Sequence, residues 1–356
     1  MGCAIGIFLP ISSLYLEDKK TLEIAIGIIS SVYFLAMMIS SNVYSKFLEK
    51  WKSYQIVGIE LLLGSIACLL YMNMNGFIGY AACVLIIGFG VGTNFVTVQS
   101  CLNQSESKNK AAVTGTYSLF YTIGFGAGSV LGSYLYGIIQ EKAFLITAAL
   151  MLIDAALVVF FRINVQYESN KKGSVSFKVV GILVFGGALY GYIENASTTF
   201  LPIYAREYFS EKWNGLLLGA FVIGGLIGII PLSAFSEKVG VYRANVLYSV
   251  LAILGLGGIV LTSAKLFFAV ITGAFVCTLY PITLAGLNQL KMNREQVLCA
   301  TGIYTLFYSA GSTIGPCFAG ISVKLFGNNG LFYICMVLLL IYLLINVRKI
   351  MKEKRE

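Results

Sequence analysis

Three acidic residues interrupt long apolar stretches of this sequence: Glu60, Asp154 and Glu194. A carboxyl group inside a lipid bilayer is energetically unfavourable, and where one is present it usually binds a proton or a charged ligand. The sequence contains no histidine, which removes the commonest general base and the commonest metal ligand. The pattern therefore predicts binding of a proton or ligand, and it offers no nucleophile and base pair that would indicate an enzyme.

The eight cysteines stand singly within or at the ends of apolar segments. Their spacing matches neither a metal site nor a disulfide framework. We therefore expect no metal and no cofactor. The glycines of Gly88-Phe89-Gly90-Val91-Gly92 follow no predicted strand, so they indicate helix packing and not a nucleotide site.

The composition places the chain in a membrane. Hydrophobic residues make up 58% and charged residues 12% of the 356 positions, whereas a soluble domain carries about 25% charged residues. Eleven apolar segments are long enough to cross a bilayer, which needs about 20 residues. These predicted helices span residues 22–45, 54–72, 77–100, 112–138, 143–162, 178–204, 213–236, 243–262, 266–289, 298–323 and 329–348.

The sequence also repeats itself. Thr114–Tyr121 recurs as Thr301–Tyr308, and Phe8–Ile11 recurs as Phe200–Ile203, with offsets of 187 and 192 residues. Nearly the whole chain is thus one duplicated unit, and a large repeat in an apolar chain is typical of a secondary transporter with its site between the halves. The predicted parts are two six-helix bundles, a linker between them and a basic cytoplasmic tail. They cover residues 1–162, 163–177, 178–348 and 349–356 respectively.

Under the 192-residue offset, Met1 corresponds to Ile193, deep inside the helix that opens the second half. Residues 1–16 are therefore predicted to be the outer end of an incomplete helix 1, and the other segments become helices 2 to 12. A signal peptide is the alternative, but the segment has no basic start and no small-residue cleavage site.

The basic residues predict the orientation. Assigning alternate loops to one side collects eighteen of the 25 lysines and arginines there, and seven on the other side. Cytoplasmic loops carry the excess of positive charge, so the even loops and the C-terminus are predicted to face the cytoplasm. The net charge of +9 is then explained by topology, without nucleic acid as a partner.

A loop motif follows helix 8, with a weaker copy after helix 2. Its residues are Ser233, Glu237, Lys238, Gly240 and Arg243, and in the first half Ser41 and Lys46. The motif resembles the loop signature of the major facilitator superfamily, which implies two pseudo-symmetric six-helix bundles that alternate access to a central cavity. In the first half Ser45 stands where that signature has an acid.

Helices 5 and 11 carry glycines at matching steps: Gly115, Gly124, Gly128 and Gly132, then Gly302, Gly311 and Gly315 with Pro316. Glycines four apart line one stripe and allow close helix approach. The pattern resembles the fifth-helix motif of drug antiporters in that superfamily. Thr278–Pro281, with Leu102-Asn103-Gln104 repeated as Leu287-Asn288-Gln289, resembles its YcaD-like branch.

The resemblance implies that helices 1, 4, 7 and 10 line the cavity. Glu194 on helix 7 then becomes the strongest candidate for binding substrate or a proton, whereas Glu60 and Asp154 fall on outer helices. The other candidate substrate residues are Asn195, Asn94, Gln99, Tyr280 and Thr283.

The sequence thus predicts an all-α, multi-pass, monomeric permease of the inner membrane, with lipid, a small-molecule substrate and protons as its partners. Its predicted function is proton-coupled export of a small amphipathic compound. Uptake of a sugar, nucleoside or other polar metabolite is one alternative. A truncated membrane protein without transport activity is another, because helix 1 is short.

Overall fold

A computed structural model of the chain describes residues 1–47, 51–104, 110–164, 175–290 and 292–353. In these ranges it contains α-helices and the short 3-10 segment Gln140–Lys142, and no β-strand. The helices are α1 Gly2–Asp18, α2 Glu23–Phe47, α3 Ser53–Tyr71, α4 Gly76–Gln104, α5 Lys110–Ile139, α6 Ala143–Phe160, α7 Phe177–Ala205, α8 Gly215–Val239, α9 Val241–Leu261, α10 Lys265–Asn288, α11 Arg294–Phe326 and α12 Gly330–Glu353.

Each predicted apolar segment overlaps one of the helices α2–α12, and the predicted end of helix 1 is α1. A helix satisfies its own backbone hydrogen bonds, which lipid cannot do. Nine described stretches are long and apolar enough to cross a membrane, one of them covering both α5 and α6. Large apolar side chains point outward, among them Ile78 and Leu261, which are 82% and 84% exposed.

Polar residues and glycines define the helix ends. Asn293 caps α11 because its side chain accepts a hydrogen bond from the Gln296 amide, and the Gln296 side chain accepts one from the Asn293 amide. Gly240 separates α8 from α9 with a φ of +90°, a conformation that favours glycine.

The helices form two compact units. The first comprises Met1–Ser169 and Arg206–Gly215, and the second comprises Asn170–Ala205 and Leu216–Glu356. Arg206–Gly215, which connects α7 to α8, groups with the first unit because it contacts α1 and α5. Of the predicted linker, residues 165–174 lie outside the described ranges.

The two units share an internal arrangement. In the first, α1 packs mainly against α5, and α3 packs against α4 and α6. In the second, α7 packs mainly against α11, and α9 packs against α10 and α12. These pairs correspond under the sequence repeat, and the repeated Phe-Leu-Pro-Ile segments lie buried in α1 and α7.

Glycines bring the paired helices close together. A methyl group added at Gly128 of α5 would lie 2.6 Å from the carbonyl oxygen of Cys3 in α1. One added at Gly315 of α11 would lie 2.5 Å from the carbonyl oxygen of Tyr192 in α7. Gly124 and Gly132 face the same stretch of α1, and Gly311 faces the backbone of Ala188. Gly302 is different, because it faces open space.

Pro316 lies buried inside α11. Gly115 belongs to α5, but its surroundings lie outside what the structure describes.

Candidate functional site

The second unit holds a carboxylate in the middle of α7. Glu194 accepts a hydrogen bond from the hydroxyl of Tyr190 at 2.6 Å and another from the hydroxyl of Tyr308 at 2.8 Å. Tyr190 lies one turn earlier on the same helix, where residues four apart share a face, and Tyr308 comes from α11. Both carboxylate oxygens are therefore held by neutral donors.

Four aromatic rings form the tyrosine cluster, defined as Tyr190, Tyr280, Tyr304 and Tyr308. Tyr190 and Tyr308 are stacked, with ring centroids 5.8 Å apart and planes 17° from parallel. Tyr280 of α10 lies 5.3 Å from Tyr190 and 5.2 Å from Tyr308. Tyr304 meets Tyr280 edge-on at 5.4 Å. The cluster thus joins three helices of the second unit around Glu194.

Small residues on α7 make room for this cluster. A methyl group added at Gly187 would lie 2.6 Å from the Tyr304 ring, and one added at Gly191 would lie 3.0 Å from the Tyr308 ring. Gly191 also faces the backbone oxygen of Tyr308. The two glycines therefore let α11 approach α7 closely enough for Tyr308 to reach Glu194.

Hydrogen bonds also fix α10 against α11. The Tyr304 hydroxyl donates to the backbone oxygen of Tyr280 at 2.9 Å and lies 2.8 Å from the hydroxyl of Thr283. Thr283 is fully buried, and its hydroxyl also lies 2.6 Å from the Leu279 carbonyl. Thr283 therefore helps to hold the Tyr304 ring in place, and Thr283 is itself shielded from solvent.

Glu194, Tyr190, Tyr280 and Tyr308 are half-buried, whereas Tyr304 is buried. Asn195, the neighbour of Glu194, is buried, and its amide donates to the carbonyl of Gly191 at 3.0 Å. Asn195 thus bonds its own helix and does not join the carboxylate.

The first unit holds a separate polar contact. Asn94 of α4 is buried, and its amide donates to the carboxylate of Asp154 on α6 at 3.0 Å. The Asp154 carboxylate also lies 3.7 Å from the amino group of Met1. Gln99 is exposed. Of the predicted polar residues on helix 4, only Asn94 therefore meets an intramembrane acid.

Glu60, the third intramembrane acid, lies on α3 where the backbone of Glu60 faces Gly90 of α4. One of its carboxylate oxygens is buried and has no hydrogen-bond partner among the described residues. Glu60 and Asp154 thus both face α4, an arrangement that helix assignment alone did not predict.

A charged cluster at the end of α1 was also missed by sequence reasoning. Arg206 donates to the carboxylate of Glu17 at 2.7 Å and to that of Asp18 at 2.7 Å and 3.2 Å. The Tyr136 hydroxyl donates to Asp18 at 2.6 Å. The available signal in the sequence was a pair of acids that ends the first helix of one half and a base directly after the first helix of the other half.

Glu17 and Asp18 follow the predicted membrane segment 1–16, and their pKa values shift in opposite directions. Burial raises the pKa of Glu17, although the Arg206 guanidinium opposes that shift. Burial also acts to raise the pKa of Asp18, but hydrogen bonds from Arg206 and Tyr136 outweigh it, and the pKa of Asp18 is lowered. Asp18 is therefore the acid that the arginine mainly stabilises as an anion.

The loop motif lies at the junction of α8 and α9. Glu237, Lys238 and Arg243 are exposed, and the amide of Gly240 donates to the carbonyl of Ser236 at 2.9 Å. The Ser233 hydroxyl is buried without a partner among the described residues. In the first unit, Ser41 and Lys46 lie within α2, but their side chains fall outside what the structure describes.

Comparison with known proteins gives the family of the chain. The model of the Major Facilitator Superfamily matches residues 1–265 and again residues 183–356. The chain is 26% identical to YcaD of Escherichia fergusonii, described as an uncharacterized MFS-type transporter, over 97% of this chain and 92% of that protein.

Two solved structures share the fold. The nucleoside transporter NupG superposes with a TM-score of 0.79 at 14% identity, covering 98% of this chain and 95% of its own. A bacterial homologue of the human lysosomal transporter Spinster, in an inward-facing and unoccupied conformation, gives 0.76 at 13% identity, covering 99% and 95%. At these identities the likeness shows the fold alone, and the predicted fold class is confirmed.

Proposed function

The chain belongs to the major facilitator superfamily, and from this premise we propose that it exports a small amphipathic compound in exchange for protons. It is a multi-pass membrane transporter and not an enzyme, in keeping with its relatives and structural neighbours. The substrate class, the proton coupling and the outward direction are the proposed part.

The hydrogen bonding of Glu194 carries the proposal. A carboxylate within a membrane helix needs compensation, and here two tyrosine hydroxyls supply it, at 2.6 Å and 2.8 Å. A tyrosine hydroxyl can accept as well as donate. The same two partners therefore suit the carboxylate and the protonated acid, so Glu194 can gain and lose a proton without losing its hydrogen bonds.

The surroundings of Glu194 suit an amphipathic substrate. The tyrosine cluster presents aromatic surface together with hydroxyl groups, and three of its four rings remain partly exposed. Apolar walls with a few placed polar groups are typical of sites for small molecules. Tyr280 and Thr283, both predicted from the sequence, belong to or support this cluster, whereas Asn94 and Gln99 lie in the other unit.

We further propose that the protein works as a monomer in the inner membrane. In this proposal its bundles rock about the linker 163–177, and the even loops and the tail lie in the cytoplasm, as the excess of basic residues there indicates. Alternating access then exposes Glu194 to each side in turn.

Proton movement in proteoliposomes tests the proposal. Vesicles loaded with the pH-sensitive dye pyranine would be given uncharged, cationic and anionic amphipathic compounds, and also nucleosides and sugars. We expect at least one amphipathic compound to drive proton movement with the wild type and with Glu141→Gln, which changes an exposed acid. Glu194→Gln should abolish that movement.

Two results would contradict the proposal. One is pH-dependent transport that survives Glu194→Gln. The other is transport confined to nucleosides or sugars, which would favour an uptake permease.

A further inference from the structure

The carboxylate of Glu194 has no basic partner in the described part of the chain. Among those residues, none of the salt bridges involves Glu194. Among the described residues, the groups that hydrogen-bond its side chain are the hydroxyls of Tyr190 and Tyr308. When Glu194 is ionised, its negative charge is therefore hydrogen-bonded but not neutralised.

The carboxylate also retains capacity for another partner. A carboxylate has about four acceptor positions, and the two tyrosine hydroxyls occupy two of them. Glu194 is partly exposed. A positively charged group can therefore reach the free acceptor positions without displacing either tyrosine.

The rings around this carboxylate add to the negative potential. The face of an aromatic ring is negative and its edge is positive, so a cation is attracted to the face. Tyr280 lies at 50° to the ring plane of Tyr190 and at 67° to that of Tyr308. Rings at such angles present their faces in different directions, and a bulky cation can contact more than one of them.

From this arrangement we infer that the site takes an organic cation, an amphipathic amine or quaternary ammonium compound, whose charge lies against Glu194 and the tyrosine cluster. The inference rests on the proposed function and narrows its substrate class. An anionic group would meet an unneutralised carboxylate and ring faces, both repulsive. An uncharged compound would leave the charge of Glu194 without a counterion.

Two matched ligands test the inference directly. meta-Hydroxyphenyltrimethylammonium carries the charge, and meta-tert-butylphenol is its uncharged analogue of nearly the same shape. Binding of both to the purified, full-length protein in detergent would be measured by equilibrium dialysis near neutral pH. We expect the cation to bind at least about tenfold more tightly, because a desolvated cation–aromatic contact alone gives about that factor.

Variants separate the charge from the rings. Glu194→Gln should remove the preference for the cation. Tyr280→Leu should weaken cation binding about tenfold, whereas Tyr280→Phe, which keeps the ring, should restore it. The matched control is Tyr333→Leu, which changes an exposed tyrosine of α12. This variant should bind both ligands like the wild type. The rescue by phenylalanine distinguishes a ring contact from loss of folding.

Three results would overturn the inference: equal binding of the two ligands, cation binding unchanged in Glu194→Gln and Tyr280→Leu, or no binding of the cation. If neutral amphipathic compounds still drive proton movement in the proteoliposomes, the proposed function stands without the cation. If the cation binds selectively but no amphipathic compound moves protons, the cation site stands and the proposed function fails.

Discussion

Replacing Arg206 with glutamine removes the cation that pairs with both Glu17 and Asp18. The arginine is 19% exposed, and the acids are 33% and 47% exposed. Both acids lie at the C-terminal end of α1, where the helix dipole disfavours negative charge. The variant would therefore leave two neighbouring carboxylates at an unfavourable helix end.

The magnitude follows from the two short contacts. A hydrogen bond to a charged group contributes about 1.5–3 kcal/mol, whereas an exposed ion pair contributes about 0–1 kcal/mol. Because water can rehydrate the half-exposed acids, we expect the free energy of unfolding to fall by about 2 kcal/mol. This loss is closer to that of two exposed ion pairs than to that of two charged hydrogen bonds. For a unit of this size that corresponds to a fall of about 4–8 °C in the midpoint of thermal unfolding.

The assay is thermal unfolding of the purified protein in detergent. Lys142→Gln, which changes an exposed base of the same unit, is the control and should unfold like the wild type. Asp18→Asn combined with Arg206→Gln should be less destabilised than the sum of the single variants, because the two residues share one interaction.

The pH dependence gives a second check on this cluster. The pKa of Asp18 is lowered in the folded protein, so its stabilising effect is present above the ordinary aspartate pKa of about 4 and is lost as the pH falls below it. The pKa of Glu17 is raised, so Glu17 changes the stability with pH in the opposite sense to Asp18. The comparison is therefore made in a Glu17→Gln background. An Arg206→Gln variant that unfolds within about one degree of the wild type at neutral pH would refute the reasoning.

Two further predictions, one on helix packing and one on a buried hydrogen bond, are tested by the same unfolding assay. Gly315→Ala should destabilise the protein by about 1–3 kcal/mol, since the new methyl group meets the backbone oxygen of Tyr192 at 2.5 Å. Gly302→Ala faces open space in the same helix and should be neutral or gain up to about 1 kcal/mol; equal effects at both positions would contradict the packing account. Asn245→Ala should lose about 2 kcal/mol, because this buried amide donates to the Tyr342 hydroxyl at 2.8 Å. An unchanged midpoint for Asn245→Ala would show that the hydrogen bond contributes little.

The helices were predictable because lipid forces polar residues to the ends of each span. The predicted segment 178–204 corresponds to the helix Phe177–Ala205, and the predicted segment 266–289 corresponds to Lys265–Asn288. The prediction for α11 was shorter than the helix, since the polar residues Arg294, Glu295 and Gln296 extend its start and residues 324–326 extend its end. The family and the all-α membrane fold followed from these spans and from the repeat, and both are confirmed.

The site was only partly predictable. Tyr190 and Glu194 are four residues apart, so their contact follows from helix geometry. The contact of Tyr308 with Glu194 depends on how α11 is rotated against α7, which close packing at Gly191 and Gly311 determines. Such a rotation cannot be read from one sequence. The same reason explains why the pairing of Asp154 with Asn94 was missed.

The most direct test of the central claim is infrared difference spectroscopy of the protein in lipid as the pH is changed. If Glu194 is the proton site, the wild type and Glu141→Gln should show the carbonyl stretching band of a protonated carboxylic acid that appears and disappears with pH. Glu194→Gln should lack that band. An identical pH-dependent band in Glu194→Gln would show that another group binds the proton, and the account would be wrong.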